Sequence, residues 1–297
     1  MQIINFLFYY CLILPCSYLP FGVLYVISDG LYWLVYKVFG YRKKVVFNNL
    51  NLSFPHKTPA EIEAIAQNFY HHFCDILVES LKAFSISKVE LCKRFRCTNP
   101  EVFDDFFEQG RSVILVGGHF NNWEYLAVQI QLQLRHQVVG LYQPLKNRFF
   151  DQKMQQTRGR FGLELVSVKK VKLLFDTLKA EQPKLIVFGS DQSPSNAEKA
   201  YWLRFLNQET AVLFGTEKFA VGCDVPVFYG QINKLKRGFY TLDFKLITAH
   251  PQATNTGDIT QIHTAMLEQT IIDNPPFWLW THRRWKHKNP NATTLNL

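Results

Sequence analysis

Residues 3–28 contain no lysine, arginine, aspartate or glutamate. A stretch like this must be buried in protein or placed in lipid. As a helix it would reach about 37 Å at about 1.5 Å per residue, enough for a hydrocarbon core of about 30 Å. Pro15 and Pro20 each remove a backbone donor and kink a helix. The stretch therefore reads as one kinked span or as two pieces lying in the membrane interface. It does not read as a cleaved leader, because the first lysine is Lys37 and no small-residue cleavage site follows. A second apolar run, 31–39, carries the tyrosines and tryptophan that suit headgroup depth. The cations Arg42, Lys43 and Lys44 come next, and the positive-inside rule assigns that flank, and the chain after it, to the cytoplasm. The competing reading is a buried N-terminal helix pair in a soluble protein.

The rest of the chain is not a bundle of membrane spans, since the mean hydropathy over 297 residues is -0.08. It is also too apolar for disorder, at 47% hydrophobic residues. The formal charge of +9 selects anionic partners, whether lipid, nucleic acid or an acidic protein, without choosing among them. Six scattered cysteines show no zinc-ligand spacing and read as free thiols of a cytosol-facing protein. The spacing predicts neither a metal nor a cofactor.

Beyond residue 45, short apolar runs alternate with amphipathic segments. Thr58-Pro59-Ala60-Glu61 is a capping box that predicts a helix over 59–84, with His71 and His72 at its surface or in a cleft. Strands are predicted over 112–116, 137–142, 184–189, 225–232 and 239–247. Helices are predicted over 122–134, 147–160, 171–181, 210–222 and 258–272. This alternation implies an α/β fold with a mixed central sheet flanked by helices, behind an N-terminal hydrophobic membrane anchor. The division expected is 1–45 for the anchor and its basic flank, 46–290 for the main domain, and 291–297 for a polar tail.

The sharpest chemical feature is Gly117-Gly118-His119-Phe120-Asn121-Asn122-Trp123-Glu124, directly after a buried strand. Open α/β sheets place ligands at such strand ends. Five residues of regular helix turn about 500°, so His119 and Glu124 can meet only if the histidine sits in the turn before the helix. Asn121 or Asn122 would cap that helix, and Glu124 in its first turn would favour the dipole. A carboxylate would fix the imidazole tautomer, and the imidazole would take a proton from an attacking hydroxyl. Arg158 and Arg160 could bind a phosphate or a developing oxyanion, or simply end a helix in solvent. Asp191-Gln192, after another buried strand, could be a polar anchor or an ordinary turn. The aromatic and basic segment 277–286 could pack on the body, sit at a lipid surface or, less simply, stack on RNA.

Taken in order along the chain, these blocks resemble the lipid A late acyltransferases of the lysophospholipid-acyltransferase-like superfamily. The resembling segments are the apolar start, GYRKKVVFNNLNLSFP, GGHFNNWE, YQPLKNRFFDQKMQQTRGRFG, GSDQSPSN and WLWTHRRWK. The resemblance implies a glycerolipid-acyltransferase-like fold and transfer of an acyl chain to a hydroxyl of a lipid A precursor or related glycolipid. It implies His119 and Glu124 as the catalytic pair, and a substrate site drawn from Asn122, Arg158, Arg160, Asp191 and Gln192. It also implies acyl carrier protein as donor partner, an acidic protein that suits the basic charge, and a place at the cytoplasmic face of the inner membrane. Nucleic acid has no supporting motif. An amino-lipid acceptor, and a non-enzymatic basic protein that binds anionic lipid, are the alternatives.

Overall fold

A computed structural model describes residues 2–178, 182–198 and 200–289. The tail at 291–297 and the end of the helix expected over 171–181 lie outside the described residues.

The N-terminal apolar stretch breaks at Leu19-Pro20. Leu19 takes extended backbone, with ψ 145°, because the ring of Pro20 disfavours the helical region for the residue before it. Pro15 is absorbed differently, inside Leu14–Tyr18 and just after a wide π-helical turn, Tyr9–Ile13. Among the described residues, Phe21–Val38 is the helical stretch long and apolar enough to cross a membrane. One face of it is docked on the protein body. Tyr25 Oη donates to Glu79 Oε1 at 2.9 Å, and Ser28 Oγ donates to Asp75 Oδ1 at 2.7 Å. Arg237 joins Asp29 to Asp75, with both contacts at 2.6 Å. The opposite face exposes Val23, Val26, Trp33 and Leu34.

The capping box forms as the sequence implies. Thr58 Oγ1 accepts from Glu61 N, and Glu61 Oε2 accepts from Thr58 N at 2.7 Å, opening the helix Pro59–Lys82. His72 on this helix departs from expectation. It is buried, with Nδ1 at 3.1 Å from Lys234 Nζ, and burial pushes its pKa well below the ordinary value. His71 is exposed and stacks on Tyr32.

The strands are β1 Phe95–Cys97, β2 Val113–Gly117, β3 Gln137–Tyr142, β4 Glu164–Ser167, β5 Lys184–Gly189, β6 Tyr201–Phe205, β7 Gln208–Val212, β8 Val227–Lys236 and β9 Phe239–Thr248. Seven form a mixed sheet in the order β1-β9-β8-β2-β5-β3-β4. The pairing is parallel except between β8 and β9. Strand β2 lies at the centre and is apolar on both faces, as a doubly covered strand must be. Ile114 and Val116 join one core layer, while Val113 and Leu115 join the other.

The expected α/β architecture is present, but one segment differs. A helix over 210–222 is expected; the helix runs Gly215–Cys223, and Gln208–Val212 pairs with β6 in a separate hairpin. Its two-residue turn is Leu206-Asn207, both with positive φ (48° and 63°), the backbone that matches strand twist in a tight hairpin. Leucine in the first of these positions hides the turn, because asparagine or glycine is the usual signal there.

Candidate active site

The site is made by sheet register. Strands β2 and β5 are parallel neighbours, and Gly117 is the register partner of Gly189. The residues two past each glycine, His119 and Asp191, leave the sheet side by side. His119 Nδ1 and Asp191 Oδ1 are 2.7 Å apart. Close approach here depends on glycine: a Cβ on Gly118 would come within 3.1 Å of Asp191 Oδ2 and 2.9 Å of Leu267 Cδ1.

Asp191 is buried, and its other oxygen is also occupied. Oδ2 accepts from His119 N at 2.7 Å and from Trp278 Nε1 at 2.8 Å. Burial alone would raise this carboxyl's pKa. The His119 charge and these donated hydrogen bonds outweigh it and hold the group at about 2. His119 has the converse balance. Burial lowers its pKa, but the Asp191 carboxylate more than offsets this, so the net shift is upward. With Nδ1–H donated to an ionised carboxylate, Nε2 holds the accepting lone pair. It faces the Gln192 amide nitrogen at 3.3 Å, and the His119 side chain is 27% exposed.

The expected His119–Glu124 hydrogen bond is not what forms. Glu124 lies in the first turn of Trp123–Gln129 and makes a bidentate pair with Arg158, Nη2 to Oε1 at 2.7 Å and Nε to Oε2 at 3.1 Å. The local cause lies in the turn. Asn121 adopts φ 54° and Asn122 caps the helix, accepting from Tyr125 N at 2.8 Å. These settings aim Glu124 at the helix Arg148–Gly159, and the fork of Arg158 matches its carboxylate. Glu124 still raises the His119 pKa through space, behind Asp191.

The remaining residues divide. Gln192 and Arg158 come to the site with His119 and Asp191. Asn122 is fully buried; its amide caps the helix and donates to Glu79 Oε2 at 2.6 Å, so it has a framework role rather than a place in the cavity. Arg160 points elsewhere, donating to the carbonyls of Phe84 and Ile86, because it is two residues past Arg158 and so about 200° around the helix. The aromatic and basic C-terminal segment packs on the body, and Trp278 and Trp280 are buried. It splints the loops that carry His119 and Asp191: Phe120 bridges to Trp278, Asn121 N donates to Phe277 O at 2.9 Å, and Ser193 N donates to His282 Nε2 at 3.0 Å. Asn49 in turn holds that segment, donating to the carbonyls of Trp280 and His282 at 3.0 Å each. Trp278 is the site residue that sequence reasoning missed. Its only signal was its place in a tryptophan-rich block.

A cavity of about 160 Å³ opens beside His119 and Arg158 and continues among Leu115, Leu126, Ile130, Leu163, Leu165 and Leu242. A polar mouth and an aliphatic interior suit an amphiphile with one reactive end. No cluster of three or more His, Cys, Asp or Glu side chains suited to a metal ion occurs among the described residues.

The model of the family described as "Bacterial lipid A biosynthesis acyltransferase" matches residues 2–287. The chain is 24% identical to the Lipid A biosynthesis lauroyltransferase of Escherichia coli (strain K12), across 90% of this chain and 87% of that protein. It is 26% identical to the Lipid A biosynthesis acyltransferase of Haemophilus influenzae, across 94% and 89% respectively. It is 21% identical to the Lipid A biosynthesis palmitoleoyltransferase of Escherichia coli (strain K12), across 93% and 89%. With the match running from the N-terminal helix to the segment that splints the His119–Asp191 pair, the chain belongs to the bacterial lipid A biosynthesis acyltransferase family.

Proposed function

We propose that the protein moves a fatty acyl chain from an acyl thioester to a hydroxyl of a lipid A precursor, with His119 Nε2 as general base. The observation that carries this is the 2.7 Å pair between His119 Nδ1 and Asp191, set at the mouth of an aliphatic cavity. The acyl chain lies in the cavity with its thioester carbonyl at His119 and Arg158. The acceptor hydroxyl takes the place of the Gln192 amide at Nε2. As the hydroxyl oxygen attacks the carbonyl carbon, its proton passes to Nε2, and the carbonyl becomes an oxyanion. Arg158, held by Glu124, faces that charge. The carbon–sulfur bond then breaks, the imidazolium returns the proton to the departing thiolate, and ester and thiol leave. Asp191 supports the imidazolium between the two transfers. Proton transfer of this kind contributes about 10²–10⁴-fold.

The donor in this reading is acyl carrier protein, an acidic partner. Val168, Lys169, Lys170, Lys172 and Leu173 form an exposed basic and apolar surface just past β4. A groove beside it is bordered by Lys170 and Leu173, and shares Tyr142 and Leu165 with the catalytic cavity. A carrier docked there could pass a tethered chain inward. Replacing Lys169, Lys170 and Lys172 together by glutamate should raise KM for the carrier-borne donor by about 10-fold or more, and steepen less with salt. Turnover of a short neutral acyl thioester should hardly change. Equal loss with both donors would remove this surface from the reading.

In this reading the exposed face of Phe21–Val38 lies in the membrane while its docked face stays on the body, and the basic flank Arg42, Lys43 and Lys44 favours the cytoplasmic side of the inner membrane for the catalytic domain. The test of the function is transfer of a labelled acyl chain from acyl carrier protein to a lipid A precursor, using the full chain in detergent. A labelled ester on the glycolipid supports the proposal. No ester on the glycolipid, with either acyl carrier protein or coenzyme A as donor, overturns it.

A further inference from the structure

Behind the His119–Asp191 pair, on the side away from the cavity, sit two buried polar side chains with unused atoms. Arg284 is 3% exposed and His263 is 4% exposed. Arg284 Nη1 donates to Ala211 O at 2.7 Å, but its Nε–H has no partner among the described residues. His263 Nε2 has none either. A buried guanidinium also needs a counter-charge. No carboxylate lies within ion-pair distance of Arg284 among the described residues, and Asp191 is the anion whose field reaches it. Both orphaned groups and Asp191 border one small cavity of about 10 Å³, with Ser190, Thr264 and Tyr229. About 10–15 Å³ of such space holds a single water.

We propose that Arg284 and His263 hold one buried water against Asp191, and that Arg284 is thereby a positioning residue whose charge partly offsets the Asp191 carboxylate and so sets how strongly it acts on His119. The valences close. The water accepts from Arg284 Nε–H, donates one hydrogen to His263 Nε2, and has a second hydrogen for the carboxylate. His263 is suited to accept, because burial lowers its pKa to about 4 and keeps the ring neutral. Asp191 is then braced from both sides, by Trp278 and the His119 backbone on one and by the hydrated cation on the other.

Several charged or titratable groups face the pair. Glu124 and Arg158 act from the helices across the cavity, His282 and Arg284 from the C-terminal segment, and Tyr229 from β8. Removing the positive charge of Arg284 leaves the field of Asp191 less compensated at His119. The imidazole then keeps its proton to higher pH.

Two measurements decide the proposal. A high-resolution crystal structure of the wild-type chain should show one water within hydrogen-bond distance of Arg284 Nε and His263 Nε2; a cavity without it overturns the water. In ¹⁵N-histidine NMR, the His119 midpoint should rise by about 0.5–1 pH unit in Arg284→Met and stay near wild type in Arg284→Lys. The acid limb of the pH–rate profile should move with it. An unmoved midpoint in folded Arg284→Met overturns the positioning role, and if that variant does not fold, a moved midpoint in Arg284→Lys does so. The activity readout rests on His119 being the base, whereas the water and the titration do not. An inactive wild type therefore counts against the reaction, not against Arg284.

Discussion

Asp191→Asn is expected to lower kcat about 10³–10⁴-fold while leaving the fold intact. The size follows from which oxygen does what. Oδ2 accepts two fixed donors, His119 N and the Trp278 indole. In the asparagine variant only the amide oxygen can stay there, so the amide NH₂ must face His119 Nδ1. Two donors cannot share that contact, so Nδ1 becomes the acceptor and Nε2 takes the proton. The atom that should remove the hydroxyl proton then already carries one. The pH dependence has a definite sign. In the wild type the carboxylate raises the His119 pKa, so activity rises along an acid limb above the ordinary histidine range. In Asp191→Asn the residual activity should show that limb at lower pH. His119→Ala should match the loss and abolish the limb. A full-rate Asp191→Asn enzyme would remove this carboxylate from the mechanism.

Arg158→Met is expected to lower kcat/KM about 10²–10³-fold, since the proposed mechanism sets this cation against the developing oxyanion. Arg158→Lys should recover only part of this, because a point charge does not reproduce the bidentate fork on Glu124. Glu124→Gln keeps an acceptor for one of the two guanidinium donors and should cost less, about 10-fold. The decisive comparison is the double variant. If Glu124 works through Arg158, its substitution should add almost nothing in the Arg158→Met background. The coupling should then be about 1.4 kcal/mol, the whole of the 10-fold single-variant cost, as for groups acting in one network. If Glu124 orients His119 directly, the two losses should add, and Glu124→Gln should shift the acid limb as Asp191→Asn does. Parallel rate and pH measurements on the four proteins separate the two roles.

Much of the fold was legible because local chemistry dictates it. The capping box at Thr58 opens a helix through its own two hydrogen bonds, with no distant partner needed. Strand β2 reads from its apolar run, and the Gly117-Gly118-His119 turn follows from the strand's end. The N-terminal stretch announces itself by lacking charge. The hairpin β6–β7 was illegible because its left-handed turn is Leu206-Asn207, without the residue type that usually marks such backbone. The burial of His72 was likewise invisible, as the side chains that meet it, Lys234 and Phe277, are distant in the chain.

For the site, the sequence by itself determined that a histidine stands at the end of a buried strand with carboxylates available to it. It could not decide which carboxylate meets it. Glu124 was the nearer candidate along the chain, five residues away, whereas Asp191 is separated by 72 residues. Tertiary structure chose Asp191 because β2 and β5 are parallel neighbours whose register sets Gly117 opposite Gly189. That register is a property of strand pairing, and no local pattern encodes it. The same holds for Arg158 on Glu124, for Trp278 on Asp191, and for Arg284 behind it: each joins segments whose proximity only the folded sheet and its covering helices create.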